Sequence, residues 1–198
     1  MSDLSIVPYP HPALRWKSKD LTRIDAQLST WVRQMFDLMY EANGIGLAAN
    51  QVALPYRMFV INPTGDPDEP DEEQVFINPQ IVRRNGSETD KEGCLSLPEI
   101  FGPVTRPERI TVEAFDLSGQ GFSYELSGLP ARVVQHEYDH LDGVMFIDRV
   151  ADDVKKELNP LVEDLVKQMK YHQEQGTLPS DEQIRKTLAD LEEQRTKS

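Results

Sequence analysis

The sequence turns on Gln135-His-Glu-Tyr-Asp-His-Leu-Asp-Gly143, in which His136 and His140 stand four apart and Glu137 follows the first histidine. On an α-helix, positions i and i+4 share one face a single turn apart, so both imidazoles point the same way. Two imidazoles so placed can hold one metal ion, and the glutamate beside them reaches a water on that ion. The chain has only four histidines, and this stretch uses two of them. Its surroundings predict the helix. Ser127 or Gly128 suits an N-cap, Pro130 a first turn, and Gly143 a stop. Leu129, Val133, His136 and His140 recur at +4, +3 and +4, which puts the imidazoles on the inward apolar stripe. A buried helix with two hydrogen-bonded histidines would share that rhythm, but the intervening glutamate favours a metal.

The helix sits in a chain of 198 residues, enough for one domain with a substantial core. No apolar run is long enough to span a membrane, and Met1-Ser-Asp-Leu-Ser5 lacks the features of a signal or transit peptide, so a cytoplasmic protein is expected. Cys94 is the only cysteine, which leaves it as a small hydrophobe or a reactive or ligating thiol. A net charge of −13 argues against a general nucleic-acid or anionic-membrane surface.

Upstream, Pro8, Pro10 and Pro12 mark an extended arm with tight turns, with His11 expected on its surface. Asp25 to Asn43 reads as an amphipathic helix, with Leu28, Val32, Met35 and Met39 on one face and Asp25 as cap. Gly44-Ile-Gly-Leu-Ala-Ala-Asn-Gln51 begins like a dinucleotide fingerprint, but a helix precedes it and Pro55 follows, so that reading fails. Glycines there instead allow backbone to come close to a ligand, and Gln51 offers an amide donor beside them. Strands are expected at Tyr56–Asn62, Val75–Arg84, Val104–Leu117 and Gly121–Leu126, with a polar turn at Asn85–Asp90. The stretch 64–74 holds six acidic residues and reads as a solvated, mobile insertion. Helices are expected at Asp152–Tyr171 and Asp181–Gln194, the latter polar nearly all round, which makes 172–198 a solvated, charged helical tail after a single domain over 1–171.

Three stretches together identify a family. Gly44-Ile-Gly-Leu-Ala-Ala-Asn-Gln51, Glu92-Gly-Cys-Leu-Ser96 and Gln135-His-Glu-Tyr-Asp-His140 resemble, in order and spacing, the signature motifs of peptide deformylases. The resemblance covers roughly residues 6–170. It implies an α+β fold: antiparallel β-sheets packed around a central metal-binding helix, with an N-terminal helix and a C-terminal helical extension. It also implies metal-dependent hydrolysis of the N-formyl group from formyl-methionyl nascent chains, releasing formate. By position, Cys94, His136 and His140 match the metal ligands, Glu137 the general acid/base, and Gln51 with the backbone N–H of Leu95 the oxyanion donors. Ile45, Gly46, Gly93, Leu129 and Val133 match the substrate-binding positions. Glu92 and Arg106 match a buried ion pair, and the Arg132 guanidinium is expected at the pocket mouth. The implied cofactor is one divalent ion, Fe²⁺, with Zn²⁺, Ni²⁺ or Co²⁺ able to replace it. The implied partners are formyl-methionyl nascent peptides and, transiently, the ribosome, with no specific nucleic acid and no membrane.

The chemistry also follows from the residue types. Three protein ligands leave a position open for water, as catalytic rather than structural sites do. Two rivals remain at this stage. A zinc protease would need a third ligand downstream, from His172, Glu157 or Glu163. A non-catalytic metal-binding or ribosome-associated module would keep the fold without turnover.

Overall fold

A computed structural model describes residues 4–196. A five-stranded antiparallel sheet forms the centre, built from β1 (Gly46–Ala48), β2 (Met58–Ile61), β3 (Gln74–Asn85), β6 (Arg109–Phe115) and β7 (Gly121–Ser127) in the order β1-β2-β3-β6-β7. A separate antiparallel pair joins β4 (Glu88–Cys94) to β5 (Leu97–Arg106). The helices are α1 (Ala26–Glu41), α2 (Gly128–Leu141), α3 (Asp152–Glu174) and α4 (Asp181–Thr196). The α+β architecture with antiparallel sheets around the histidine helix is as expected.

The sheet is buried on both faces at its β1 and β2 end, which explains why β2 reads Met-Phe-Val-Ile without a polar residue. Side chains alternate across a strand, so Met58 and Val60 pack with Leu28, Val32, Met35 and Met39 of α1. Phe59 and Ile61 face the other way, into a cluster with Ala131, Val134 and Leu141 of α2. A third cluster sets Ile100 and Val104 of β5 against Val154, Leu158 and Val162 of α3. Asp25 caps α1 as its sequence suggests, accepting from the Leu28 N–H at 3.0 Å. Gly143 ends α2 with φ of 72°, and a Cβ there would lie 2.8 Å from the Arg15 carbonyl oxygen, so only glycine fits.

Four local expectations fail. The strand expected over Val104–Leu117 is two strands: Pro107 and Glu108 fall between β5 and β6, which belong to different sheets. Proline has no N–H for a ladder, so the chain turns there. The polar turn expected over Asn85–Asp90 ends early, because β4 starts at Glu88 and pairs with Arg106. The acidic stretch 64–74 is exposed, as expected of a surface insertion, and it is anchored at its base. Asn62, fully buried at its base, donates to the Asp66 and Glu69 carbonyls and accepts from Thr64, while Tyr40 donates to Glu73.

The third and fourth concern the C-terminal tail and the arm it packs on. α4 is docked, with Ile184 and Leu188 buried against Ala13, Met169, Trp16 and Ala53. Its few apolar residues recur at i, i+4 and i+7 and form a narrow stripe that the arm of residues 11–16 covers. His11 lies on that arm, partly buried rather than at the surface, and its Nδ1 accepts from the Ala13 N–H at 3.2 Å.

Candidate metal centre and active site

His136 and His140 project from the same side of α2, their ring centroids 5.0 Å apart. Cys94 comes to them from the end of β4, where the hairpin register shifts between Gly93 and Cys94. The unpaired residues, 98–100, lie on β5, so the regular ladder breaks beside Cys94. The three donor atoms lie within 4.8 Å of one another, and the Cys94 Sγ stands 3.4 Å from the His140 Nε2. Two ligands about 2.1–2.3 Å from a cation at a tetrahedral angle are roughly 3.5 Å apart, so the observed spacing suits one small ion. A thiolate with two imidazoles is a donor set for a borderline or soft divalent metal. Among the described residues this is the group of donors with that geometry.

The charges around the site agree. Burial alone would lower the basicity of His136, but its contacts with Cys94 and the Glu92 carboxylate outweigh burial and hold it up at about 10. His140 is driven well below its ordinary value by burial and by His136.

Behind the ligands lies a lattice of buried charges. The Glu92 carboxylate accepts from Arg106 Nε at 2.6 Å and Nη2 at 2.8 Å, from Arg132 Nη1 at 2.7 Å, and contacts His136 Nδ1 at 3.0 Å. Arg106 Nη1 also donates to Asp139 at 2.7 Å, and Arg149 closes on the same carboxylate. Despite burial, which would raise it, the guanidinium and imidazole contacts hold Glu92 far below the usual carboxylate range. A carboxylate on the far nitrogen of a metal-binding histidine fixes the tautomer and the ring plane.

A cleft of about 610 Å³ opens in front of the ligands. Glu137 lies in its wall, 4% exposed, and its Oε2 has no hydrogen-bond partner among the described residues. Burial raises its carboxyl to about 7, against the opposing pull of His136 and Arg106. Gly46 passes so close that a Cβ would stand 2.6 Å from Glu137 Oε1 and 2.9 Å from Val133 Cγ1. Gln51 is held by its own amide: Oε1 accepts from the Ala48 N–H at 2.9 Å, and Nε2 points to the Cys94 Sγ and Ser96 Oγ, each at 3.4 Å. β1 is an edge strand that pairs with β2 on one side among the described residues, and on its other side the Ala48 N–H is taken by Gln51.

The sequence matches the polypeptide deformylase family over residues 3–157. The chain belongs to that family. It is 49% identical over 174 residues to a peptide deformylase of Rhodopirellula baltica, covering 88% of this chain and 85% of that one. It is 44% identical over 182 residues to peptide deformylase 1B, chloroplastic/mitochondrial, of Arabidopsis thaliana, covering 91% of this chain and 65% of that protein's length. A crystal structure of a plant peptide deformylase PDF1B superposes with a TM-score of 0.83 at 44% identity, over 91% of this chain and 96% of that one.

As a deformylase-family chain, it brings the residues singled out in its sequence around one cleft. Ile45, Gly46, Gln51, Gly93, Cys94, Leu95, Leu129, Val133, His136 and Glu137 all line it, with His140 behind them. His172, Glu157 and Glu163, the alternative third ligands, are not in the ligand group. Arg132 is among the residues lining the cleft, and its guanidinium is tied to Glu92 and to the Val104 and Glu88 carbonyls. Asp139, Arg149 and Ser96 went unnoticed in the sequence. A signal existed for part of this lattice. β5 buries Gly102, Val104 and Arg106 in strict alternation, and α2 repeats Arg132, His136 and Asp139 at +4 and +3.

Proposed function

We propose that Cys94, His136 and His140 hold one divalent cation, and that Glu137, Gln51 and the Leu95 N–H work on a formamide bound in front of it. The chain is a metal-dependent hydrolase that removes the N-formyl group from nascent polypeptides, in keeping with its family. The observation that carries the assignment of roles is the meeting of three donor atoms within 4.8 Å beside the buried Glu137 carboxyl. A cation held there supplies Lewis acidity to the reacting water and carbonyl. Glu137 accepts the proton of the attacking water and returns it to the departing methionyl nitrogen as the C–N bond breaks, leaving formate and a free amine. Its carboxyl, poised near neutrality, suits both halves of that transfer. Gln51 Nε2 and the Leu95 N–H donate to the tetrahedral oxyanion, where loss of one donor costs ~2.7–4 kcal/mol of transition-state stabilisation.

Selection of formyl over larger acyl groups is steric in this reading, and the cleft wall beside Glu137 is tight enough that a Cβ on Gly46 would clash with Glu137 and Val133. The methionine side chain takes the apolar wall of Ile45, Leu129 and Val133, and the peptide pairs along the outer edge of β1, with Gly93 opposite.

The resident ion is Fe²⁺ in this reading, with Zn²⁺, Ni²⁺ or Co²⁺ as substitutes; the thiolate ligand and ferrous iron are both open to oxidation. Iron-loaded protein is expected to lose activity in air while nickel-loaded protein keeps it, and equal persistence would contradict the ferrous assignment. A reducing compartment such as the cytoplasm suits the lone thiol, and contact with the ribosome would be transient.

The test of the roles is Glu137→Gln beside wild type, followed by formate release and by metal content. Turnover is expected to fall by about 10²–10⁴-fold with metal retained. Near-full turnover in the variant would remove Glu137 from the chemistry.

A further inference from the structure

The family match ends at residue 157, well before α4 begins, yet α4 is tied to the body of the chain along its length. Ile184 and Leu188 are buried against Ala13, Trp16 and Ala53. Trp16 Nε1 donates to Glu192 at 2.8 Å, and the Tyr56 hydroxyl donates to the Leu191 carbonyl at 2.7 Å. At its end, Thr22 donates twice to the Arg195 carbonyl, while the Arg195 guanidinium pairs with Asp25 and lies over the Trp31 ring.

What α4 covers is the arm at Pro12–Trp16 and Ala53, the residue that closes a single turn. Residues Ala49–Val52 form a 3-10 turn that ends at Ala53 with φ of 56°, a left-handed conformation that a non-glycine residue holds only under tertiary restraint. The restraint comes from the arm beneath α4. Asn50 Nδ2 donates to the Ala13 and Trp16 carbonyls at 3.1 and 2.8 Å, and Asn50 Oδ1 accepts from Ser18 Oγ at 2.9 Å. The Val7 N–H donates to the Gln51 carbonyl at 2.8 Å. Thus α4 presses on Ala13, Trp16 and Ala53, the first two hold Asn50, and the next residue is Gln51, whose amide enters the cleft.

We propose that α4 is a positioning brace for Gln51: docked on the arm of residues 11–16, it fixes the turn at Ala49–Ala53 and thereby the aim of the Gln51 amide. The proposal rests on the reading of Gln51 as an oxyanion donor. Because that donor acts on charge that develops only in the transition state, a loosened aim lowers kcat and spares KM.

The experiment is made on the full-length, metal-loaded chain. Ile184→Asp with Leu188→Asp undocks the helix, Leu188→Ala weakens it if two buried charges prevent folding, and Leu188→Met serves as the conservative control. Each is placed in wild-type and Gln51→Ala backgrounds, and kcat, KM, metal content and amide exchange are measured. The undocked chain is expected to keep one metal and a KM within about twofold, while kcat falls about tenfold, as misplacement of a fraction of an ångström to 1 Å can cause. Leu188→Ala should show the same change to a smaller extent, and Leu188→Met none. Exchange over Asn50–Leu54 should quicken along with that of α4. In the Gln51→Ala background the further loss should vanish, since the two act through one group. Unchanged kcat in a chain whose α4 exchanges freely would overturn the proposal, as would an equal loss in both backgrounds. Full turnover in Gln51→Ala alone would overturn the oxyanion reading instead, and exchange at Asn50–Leu54 would then decide whether α4 holds the turn.

Discussion

The two flanks of α2 are built on opposite principles. Toward the sheet it presents Ala131, Val134 and Leu141 to Phe59, Phe76, Ile110 and Val112, a dry apolar contact. Toward the β4–β5 hairpin it presents Arg132, His136 and Asp139 to Glu92 and Arg106, with Arg149 joining from beyond the helix. The apolar flank gains from area removed from water and tolerates small changes of shape. The charged flank gains little net stability, because desolvation offsets most of the attraction, but each group there has one permitted orientation. The first flank keeps the helix in place. The second holds His136 beside the thiol.

That contrast breaks most visibly at Arg106. Arg106→Met removes the guanidinium shared by Glu92 and Asp139, and stability is expected to fall by about 3–5 kcal/mol because buried carboxylates lose a partner. Metal affinity should drop about 10–100-fold as His136 loses its fixed carboxylate. Denaturant unfolding and metal titration read the two effects, and unchanged metal affinity would mean that the lattice does not aim the ligand.

A partly buried titratable group with no ion pair of its own should behave differently from Glu92, and His11 provides the case. Burial lowers its pKa from 6.5 to about 4, only partly opposed by Asp181. The unfolded chain therefore binds a proton there between pH 6.5 and 4 that the folded chain refuses. The stabilisation from this site is complete above pH 6.5 and is lost as pH falls toward 4, by roughly 1–3 kcal/mol. Unfolding midpoints of wild type and His11→Asn across that range should diverge from parallel, and parallel curves would place His11 in water. On the apolar flank the effect should be smallest. Ile110→Val is expected to cost about 0.5–1.5 kcal/mol by denaturant unfolding, with metal content and kcat/KM unchanged. A loss of metal there would blur the division of labour between the flanks.

Much of this was legible in the sequence where a local period dominates. α1 and α2 declare themselves by apolar spacing and end signals, and β2 by an unbroken apolar run. β4 does not, because Glu88, Thr89, Asp90 and Lys91 are all exposed and only cross-strand pairing makes them a strand. α4 looked solvated because its ties are long-range: Trp16 to Glu192 spans 176 positions, and no local pattern carries that. The ligand set emerged from three motifs read together. The charged lattice did not, since charged residues are normally solvated and only the alternation in β5 marks Arg106 as inward-facing.

The most direct test of a thiolate and two imidazoles converging on one cation is the absorption spectrum of the cobalt-substituted protein. Wild type should bind one Co²⁺ and show both ligand-field bands of low-symmetry, four-coordinate cobalt and a thiolate-to-cobalt charge-transfer band, the latter absent in Cys94→Ser. A wild-type spectrum with no charge-transfer band, or one that survives loss of the Cys94 sulfur, would contradict the site.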